Sequence, residues 1–202
     1  MGMCLLLRTL SDRSIDRMLA SPQLIWRVVL PEDPGALADF VEAPKPRGLL
    51  ARLFGRPAAA PAPLPDLGLA TGEVVELDLG KGFHGVHFLL SGSAGATERP
   101  FDFLLVGGRE VGDEDIGYGP GRVFRAREVC EIHDALRGWT APELRRRFDP
   151  VRMNELDIYP SPWDTASERE HDIAFLIDAF VELQRFIHAA AERKVGILIT
   201  IE

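Results

Sequence analysis

Two histidines three residues apart are the first side chains whose type and spacing suggest chemistry. His84 and His87 fall on a predicted helix, where residues three apart share a face, so both rings could reach one side. A zinc-type site needs further ligands, and the neighbouring sequence offers no obvious third or fourth. We therefore predict no metal site, and we expect His87 to be a core histidine whose second nitrogen needs a partner such as Asp102 or Tyr118.

The glycine-rich stretch GDEDIGYGPGR at 112–122 is the sharpest local candidate for a binding site. Its alternating glycines permit positive φ, so that successive N–H groups could converge on an anion, with Arg122 adding positive charge. The Gly-Lys-Ser/Thr ending of a P-loop is absent, as is the strand-to-helix setting of a dinucleotide fingerprint. The acidic run 113–115 would repel a phosphate but could hold a divalent ion. The alternative is a structural turn in which Tyr118 packs and Arg122 pairs with a carboxylate.

Nucleophilic catalysis finds little support in the sequence. The chain has no Gly-x-Ser-x-Gly elbow, and Ser91 and Ser93, the serines with histidines nearby, lack an evident third partner. Cys4 and Cys130 are too few and too far apart for a disulfide framework or a metal spacing. We predict no catalytic residue and no cofactor, and an enzyme is the less favoured class.

The charge of the chain limits its partners. The 202 residues carry a net charge of -8, and the excess acid lies after residue 72, where 24 acidic side chains oppose 15 basic ones. This balance disfavours non-specific nucleic-acid binding and is compatible with a basic protein partner. No stretch reaches the roughly 18 apolar residues of a membrane helix, and the start lacks the features of a signal peptide. We predict a cytoplasmic protein with no membrane or nucleic-acid partner.

The elements that must position these side chains are helices separated by a few scattered strands, which predicts the α+β class. We expect a compact single domain, 1–202, in which several helices pack on a small mixed or antiparallel sheet and one long C-terminal helix precedes a short final strand. The predicted strands are 3–8, 73–77, 101–106 and 197–201, and the main helices are predicted to start at Ser11, Asp78, Ala126, Thr140, Asp149 and Ser167. The Pro/Ala-rich segment 43–71 is predicted to be a flexible surface insertion, because its prolines remove backbone donors.

Three stretches resemble the YfbM-like family, a bacterial domain-of-unknown-function family. They are LDLGKGFHGVHFLLSG at 77–92, GYGPGR at 117–122 and LRRRFDPVRMNELDIYPSPW at 144–163, and they occur in the order that the family shows. Phe83 stands where the family usually has Trp, and Gly121 where it usually has Ala. The resemblance covers nearly the whole chain apart from the insertion, and it implies a small single-domain α+β protein without an assigned reaction.

The same motifs and the charge support two functional hypotheses. The first is a non-enzymatic protein-binding or accessory role, in which an acidic surface binds a basic partner in the manner of an immunity protein against a cationic toxin. The alternative is a small-molecule or anion pocket around the GYGPGR loop. Its predicted lining is the set of polar and aromatic side chains His87, Tyr118, Arg122 and Tyr159, chosen because they fall within the family-like motifs.

Overall fold

A five-stranded antiparallel sheet forms the centre of the molecule. The computed structural model describes residues 2–31, 65–113, 115–163 and 167–202. The strands are β1 (Leu5–Leu10), β2 (Glu76–Gly80), β3 (Arg109–Glu110), β4 (Arg122–Phe124) and β5 (Gly196–Ile201). Their order across the sheet is β2-β1-β5-β4-β3, and every neighbouring pair is antiparallel. The last strand of the chain is therefore the middle strand of the sheet.

Seven α-helices lie in the described parts of the chain. They are α1 (Asp12–Ala20), α2 (Trp26–Val29), α3 (Phe83–Ser91), α4 (Ala126–Leu136), α5 (Ala141–Arg147), α6 (Pro150–Glu155) and α7 (Arg169–Glu192), and a 3₁₀ turn at Pro22–Ile25 precedes α2. Helices and an antiparallel sheet that follow each other without βαβ alternation confirm the predicted α+β class. The long C-terminal helix and the short final strand that the sequence indicated are α7 and β5.

The two faces of the sheet carry separate cores. The larger core lies under α3, α4 and α7 and includes the inward side chains of alternate strand residues, such as Leu7 and Ile199. The smaller core packs α1 and the 3₁₀ turn against the opposite face, where Leu10, Val123 and Leu198 point. Because side chains alternate along a strand, β1, β4 and β5 supply both cores at once.

Most predicted helix starts are found where the capping residues stand. The Ser11 hydroxyl accepts the N–H of Ser14 at 3.2 Å, and the Thr140–Glu143 capping box is present. Two predicted starts are wrong. Asp78 lies in β2, where its carboxylate accepts the N–H of Gly80 at 2.7 Å, so the helix begins only at Phe83. The long helix begins at Arg169, two residues after the predicted Ser167.

The predicted strand 101–106 is wrong, and the predicted loop 107–121 contains the short strand β3. Residues 101–106 form consecutive turns, with Phe103 and Leu104 fully buried in the larger core. The apolar residues of this segment are therefore buried without forming a strand of the sheet. The backbone carbonyls that a strand would have given to a neighbouring strand go instead to the side chain of Arg122.

Residues 43–64 of the predicted insertion lie outside the described residues. Its end, residues 65–71, is described: Leu67 is 1% exposed and belongs to the smaller core. The Arg17 guanidinium donates to the carbonyls of Asp66 and Leu67 at 2.7 and 2.6 Å. This end of the segment is therefore held against α1.

Candidate functional site

A cavity of about 540 Å³ opens beside β3, on the sheet face that carries the larger core. Its floor is made by Ile199 and Ile201 of β5, and one wall is the segment 105–110. Tyr118, Pro120 and Arg122 form the opposite side. In the wall, Gly107 and Gly108 have φ of 78° and 73°, and a Cβ at Gly108 would stand 2.8 Å from the carbonyl oxygen of Val123. Glycine at these positions lets the wall approach the sheet closely.

Arg122 is a buried arginine that holds the wall of this cavity. Its guanidinium donates to the carbonyl oxygens of Phe103 and Leu104, both at 3.1 Å, and also to those of Val106 and Gly107. Burial lowers the pKa of Arg122 from 12.5 to about 10, although the nearby charges of Asp102 and Glu110 favour the protonated form. A carboxylate partner was one alternative predicted for this arginine, whereas in the structure it donates to four carbonyls.

The GYGPGR loop presents Tyr118 to the cavity. Gly117 and Gly119 have positive φ as predicted, but their N–H groups both donate to the carboxylate of Asp115, at 2.9 and 2.8 Å. These hydrogen bonds lower the pKa of Asp115. The converging N–H groups therefore bind the carboxylate of Asp115 and are not available to an external anion. The N–H of Tyr118 donates to the carbonyl of Ile201, and the Tyr118 residue is 54% exposed at the rim.

His87 lies inside the protein, away from the cavity. It is 0% exposed, and its two ring nitrogens face the carbonyl oxygens of Phe101 at 3.1 Å and Gly95 at 2.8 Å. Burial lowers the pKa of His87, although the two carbonyls favour the protonated form. Its partners are these carbonyls and not the expected side chains of Asp102 or Tyr118. His87 and Arg122 therefore both bind the backbone of the 101–107 segment.

His84 and Tyr159 form a second contact between segments. The N–H of Tyr159 donates to Nδ1 of His84 at 3.0 Å, while Nε2 of His84 donates to the carbonyl of Ala94 at 2.7 Å. This arrangement requires a neutral imidazole, and burial lowers the pKa of His84 accordingly. The Tyr159 ring packs on Phe83, 6.0 Å between centroids, and does not line the cavity. Of the four predicted ligand-binding side chains, the structure brings Tyr118 and Arg122 to one cavity and places His87 and Tyr159 elsewhere.

Arg109 is the side chain at the cavity that sequence reasoning missed. It is exposed on β3, next to Glu110, and its guanidinium has no ion pair or hydrogen bond with any residue that the structure describes. The sequence feature that could have identified Arg109 is its position directly after Gly107 and Gly108, where the backbone must turn. An unpaired cation at the rim is the group most accessible to an incoming ligand.

Two further features bear on function. Among the described residues, no group of three or more His, Cys, Asp or Glu side chains converges on a common point where a metal ion could be held. In the same described ranges, no helix has the length and apolar character that a membrane crossing demands.

The fold and the cavity define an α+β protein with an open antiparallel sheet and one polar-rimmed cavity at the end of that sheet. The chain belongs to the family described as "Domain of unknown function (DUF1877)", whose model matches residues 1–200. The solved structure of YfbM from Escherichia coli, a protein of unknown function, has the same fold: the TM-score is 0.63 at 17% identity, covering 98% of this chain and 99% of that one. No curated protein matches the chain. The resemblance carried by the three motifs is thus confirmed.

Proposed function

We propose that this protein binds a small anionic molecule with an apolar body in the cavity beside β3. The observation that carries the proposal is the combination, in one cavity of about 540 Å³, of an apolar floor with two arginines and an exposed tyrosine at its sides. Ligand sites are typically concave, largely apolar and oriented by a few convergent polar groups. The volume lies within the range of roughly 300–1,000 Å³ that such sites occupy.

The charges at the cavity favour an anion. Among the residues that the structure describes, Arg122 carries its charge without a carboxylate in hydrogen-bond contact, Arg109 has no partner, and Glu110 is the one acidic residue of the lining. A carboxylate or phosphate can accept two parallel hydrogen bonds from a guanidinium such as that of Arg109. Tyr118 offers a ring face to a planar ligand body, over the apolar side chains of Ile199 and Ile201.

Three probes of similar shape test this proposal: benzoate, phenyl phosphate and the cation benzamidine. We expect the two anions to raise the melting temperature and benzamidine not to, with the shift lost in Arg109→Ala and Tyr118→Ala. Tyr159→Phe is the matched control, because Tyr159 lies outside the cavity. Equal shifts from benzamidine, or shifts that survive both cavity variants, would contradict the proposal.

A second candidate is a non-enzymatic protein-binding role toward a basic partner, and the outer edge of β2 favours it. The N–H of Thr9 donates to the carbonyl of Val75, so the backbone groups of Val75 and Leu77 point toward β1. Because these groups alternate along a strand, the backbone N–H and C=O groups of Glu76 and Asp78 point away from β1, toward the open edge. The edge is exposed, with Val75 45% accessible, and its outward residues are acidic: Glu76, whose carboxylate also pairs with the buried Arg8 at 2.6 Å, and Asp78. A basic strand from a partner could add to it through backbone hydrogen bonds. The free cysteines Cys4 and Cys130 suit the cytoplasmic location that we propose for either role.

This second role is tested with a fluorescent acetyl-Thr-Lys-Val-Lys-Val-Thr amide peptide and its analogue with Glu for Lys. The double variant Glu76→Gln/Asp78→Asn should weaken binding of the Lys peptide several-fold. The control double variant Asp178→Asn/Glu182→Gln changes the net charge equally on α7 and should not. If both double variants lose the same affinity for the Lys peptide, the peptide is attracted by net charge alone and β2 is not its binding site.

A further inference from the structure

A pair of histidines on neighbouring helices forms a feature that neither proposed role uses. His133 on α4 and His188 on α7 face each other, and Nε2 of His133 is hydrogen-bonded to Nδ1 of His188 at 3.2 Å. Their rings are tilted by 35° with centroids 5.2 Å apart, so they are not stacked. The two nitrogens open into a cavity of about 370 Å³ that Arg137, Gln184 and Arg185 also line. Two imidazole nitrogens therefore converge at a solvent-accessible point between α4 and α7.

From this geometry we infer that His133 and His188 chelate a borderline divalent transition-metal ion such as Zn²⁺ or Ni²⁺, bridging α4 to α7. Nitrogen ligands bind zinc at about 2.0–2.1 Å, so two of them at an angle of roughly 100° lie about 3.2 Å apart. The observed separation has this value, so an ion that displaces the proton shared by the two rings requires their rotation but no movement of the helices. Imidazole is also the protein ligand that suits zinc, copper and nickel.

A carboxylate lies near the other ring nitrogen of His133, outside hydrogen-bond distance in this structure. That nitrogen, Nδ1, lies 3.8 Å from the carboxylate of Asp134. Ligating histidines commonly direct the nitrogen that does not bind metal toward a carboxylate, which fixes the tautomer and leaves the other lone pair for the ion. In the amide of Gln184, the nitrogen donates to the carbonyls of Leu136 and Trp139, and no residue that the structure describes donates to its oxygen. The Gln184 oxygen, water or a partner would complete the coordination.

The two arginines at the rim do not oppose a cation strongly, because each is paired. Arg137 lies 3.6 Å from Asp134 and Arg185 lies 2.6 Å from Glu182. The rim is therefore close to neutral when both imidazoles are neutral. If those pairs open, the same cavity offers four nitrogen-rich side chains to an oxyanion, and this is the competing outcome that an experiment must separate.

Calorimetric titration of the tag-free protein with ZnCl₂ and NiCl₂ at pH 7.5, and separately with sodium phosphate, tests the inference. We expect one metal ion per chain, an affinity at least tenfold weaker in His133→Gln and in His188→Gln, and no change in His171→Gln. His171 is an exposed histidine on the same helix and serves as the matched control.

Histidine ¹⁵N chemical shifts supply an independent readout, since both histidine variants remove side chains that are at least partly exposed. Zinc should shift Nε2 of His133 and Nδ1 of His188, and should raise the melting temperature of the wild type alone. Metal binding that both variants retain, or shifts at other histidines, would overturn the assignment. Saturable phosphate binding without metal binding would overturn it in favour of an oxyanion site.

Discussion

Replacement of Arg122 by Met should destabilise the protein by about 3 kcal/mol. The guanidinium satisfies the carbonyls of Phe103 and Leu104 in buried hydrogen bonds, and a buried acceptor left without a donor costs about 1–3 kcal/mol. Two such acceptors give about 2–6 kcal/mol, and the apolar fit of Met in a buried site recovers part of this. Arg122 is only 8% exposed, so water does not readily replace the lost donors.

Urea denaturation followed by tryptophan fluorescence measures this loss directly. Arg109→Met is the matched control: it removes the same charge from the same cavity, but from an exposed position that no described residue pairs with, so a change below about 0.5 kcal/mol is expected. Arg122→Lys should fall between them, because an ammonium keeps the charge but cannot fork to several carbonyls. If Arg122→Met and Arg109→Met unfold at the same urea concentration, the hydrogen bonds from Arg122 to the 101–107 segment do not stabilise the fold.

Three further predictions concern other contacts. Burial raises the pKa of Glu73, but hydrogen bonds, first from Ser14, outweigh burial and bring the pKa to about 2. The ionised carboxylate therefore stabilises the fold fully above pH 4.5, and this stabilisation is lost as the pH falls toward 2. Glu73→Gln should thus cost about 2 kcal/mol at pH 7 and progressively less in urea titrations at pH 4 and below. His84, with its pKa lowered by burial, should make stability fall below pH 6.5 by up to about 1.4 kcal/mol per pH unit, and His84→Gln should flatten that profile. Gly196→Ala should destabilise by at least about 2 kcal/mol, since its Cβ would stand near the Phe124 carbonyl oxygen, whereas Gly138→Ala meets nothing and should be neutral or stabilising.

Each of these three predictions would be contradicted by a specific result. A difference between wild type and Glu73→Gln that stays constant from pH 4.5 down to pH 2 would show that the carboxylate charge is not what its partners stabilise. A pH profile that His84→Gln leaves unchanged would assign the acid sensitivity to another group. Equal melting temperatures for the two glycine variants would contradict the close approach of β5 to β4 at Gly196.

Local chemistry made the helices predictable from the sequence, and non-local pairing made part of the sheet unpredictable. Ser11, Thr140 and Asp149 cap helices through bonds within three residues, so the sequence contains both partners. The segment 101–106 has the apolar run of a buried strand, but its carbonyls bind Arg122, about twenty residues later, which no local pattern reveals.

The candidate site was predictable in part for the same reason. Two of the three glycines of the GYGPGR loop, Gly117 and Gly119, have the positive φ that the sequence indicated, whereas Gly121 does not. That Asp115 would occupy the resulting N–H groups was not evident, since several acidic neighbours stood equally close in sequence. His87 and Tyr159 lie in the family-like motifs, yet their contacts in the structure are to backbone and core.

The central place of β5 has a consequence for how the chain is made. Within the described sheet, β5 joins the half formed by β1 and β2 to the half formed by β3 and β4, pairing residues 196–201 with residues 5–10. Contacts across so long a stretch of chain slow folding, because loop closure comes before the pairing that rewards it. During synthesis, β1 leaves the ribosome long before its partner exists. The apolar edge of β1 therefore stays open until Gly196–Ile201 emerges, and a nascent chain stalled before that point exposes a surface that chaperones bind.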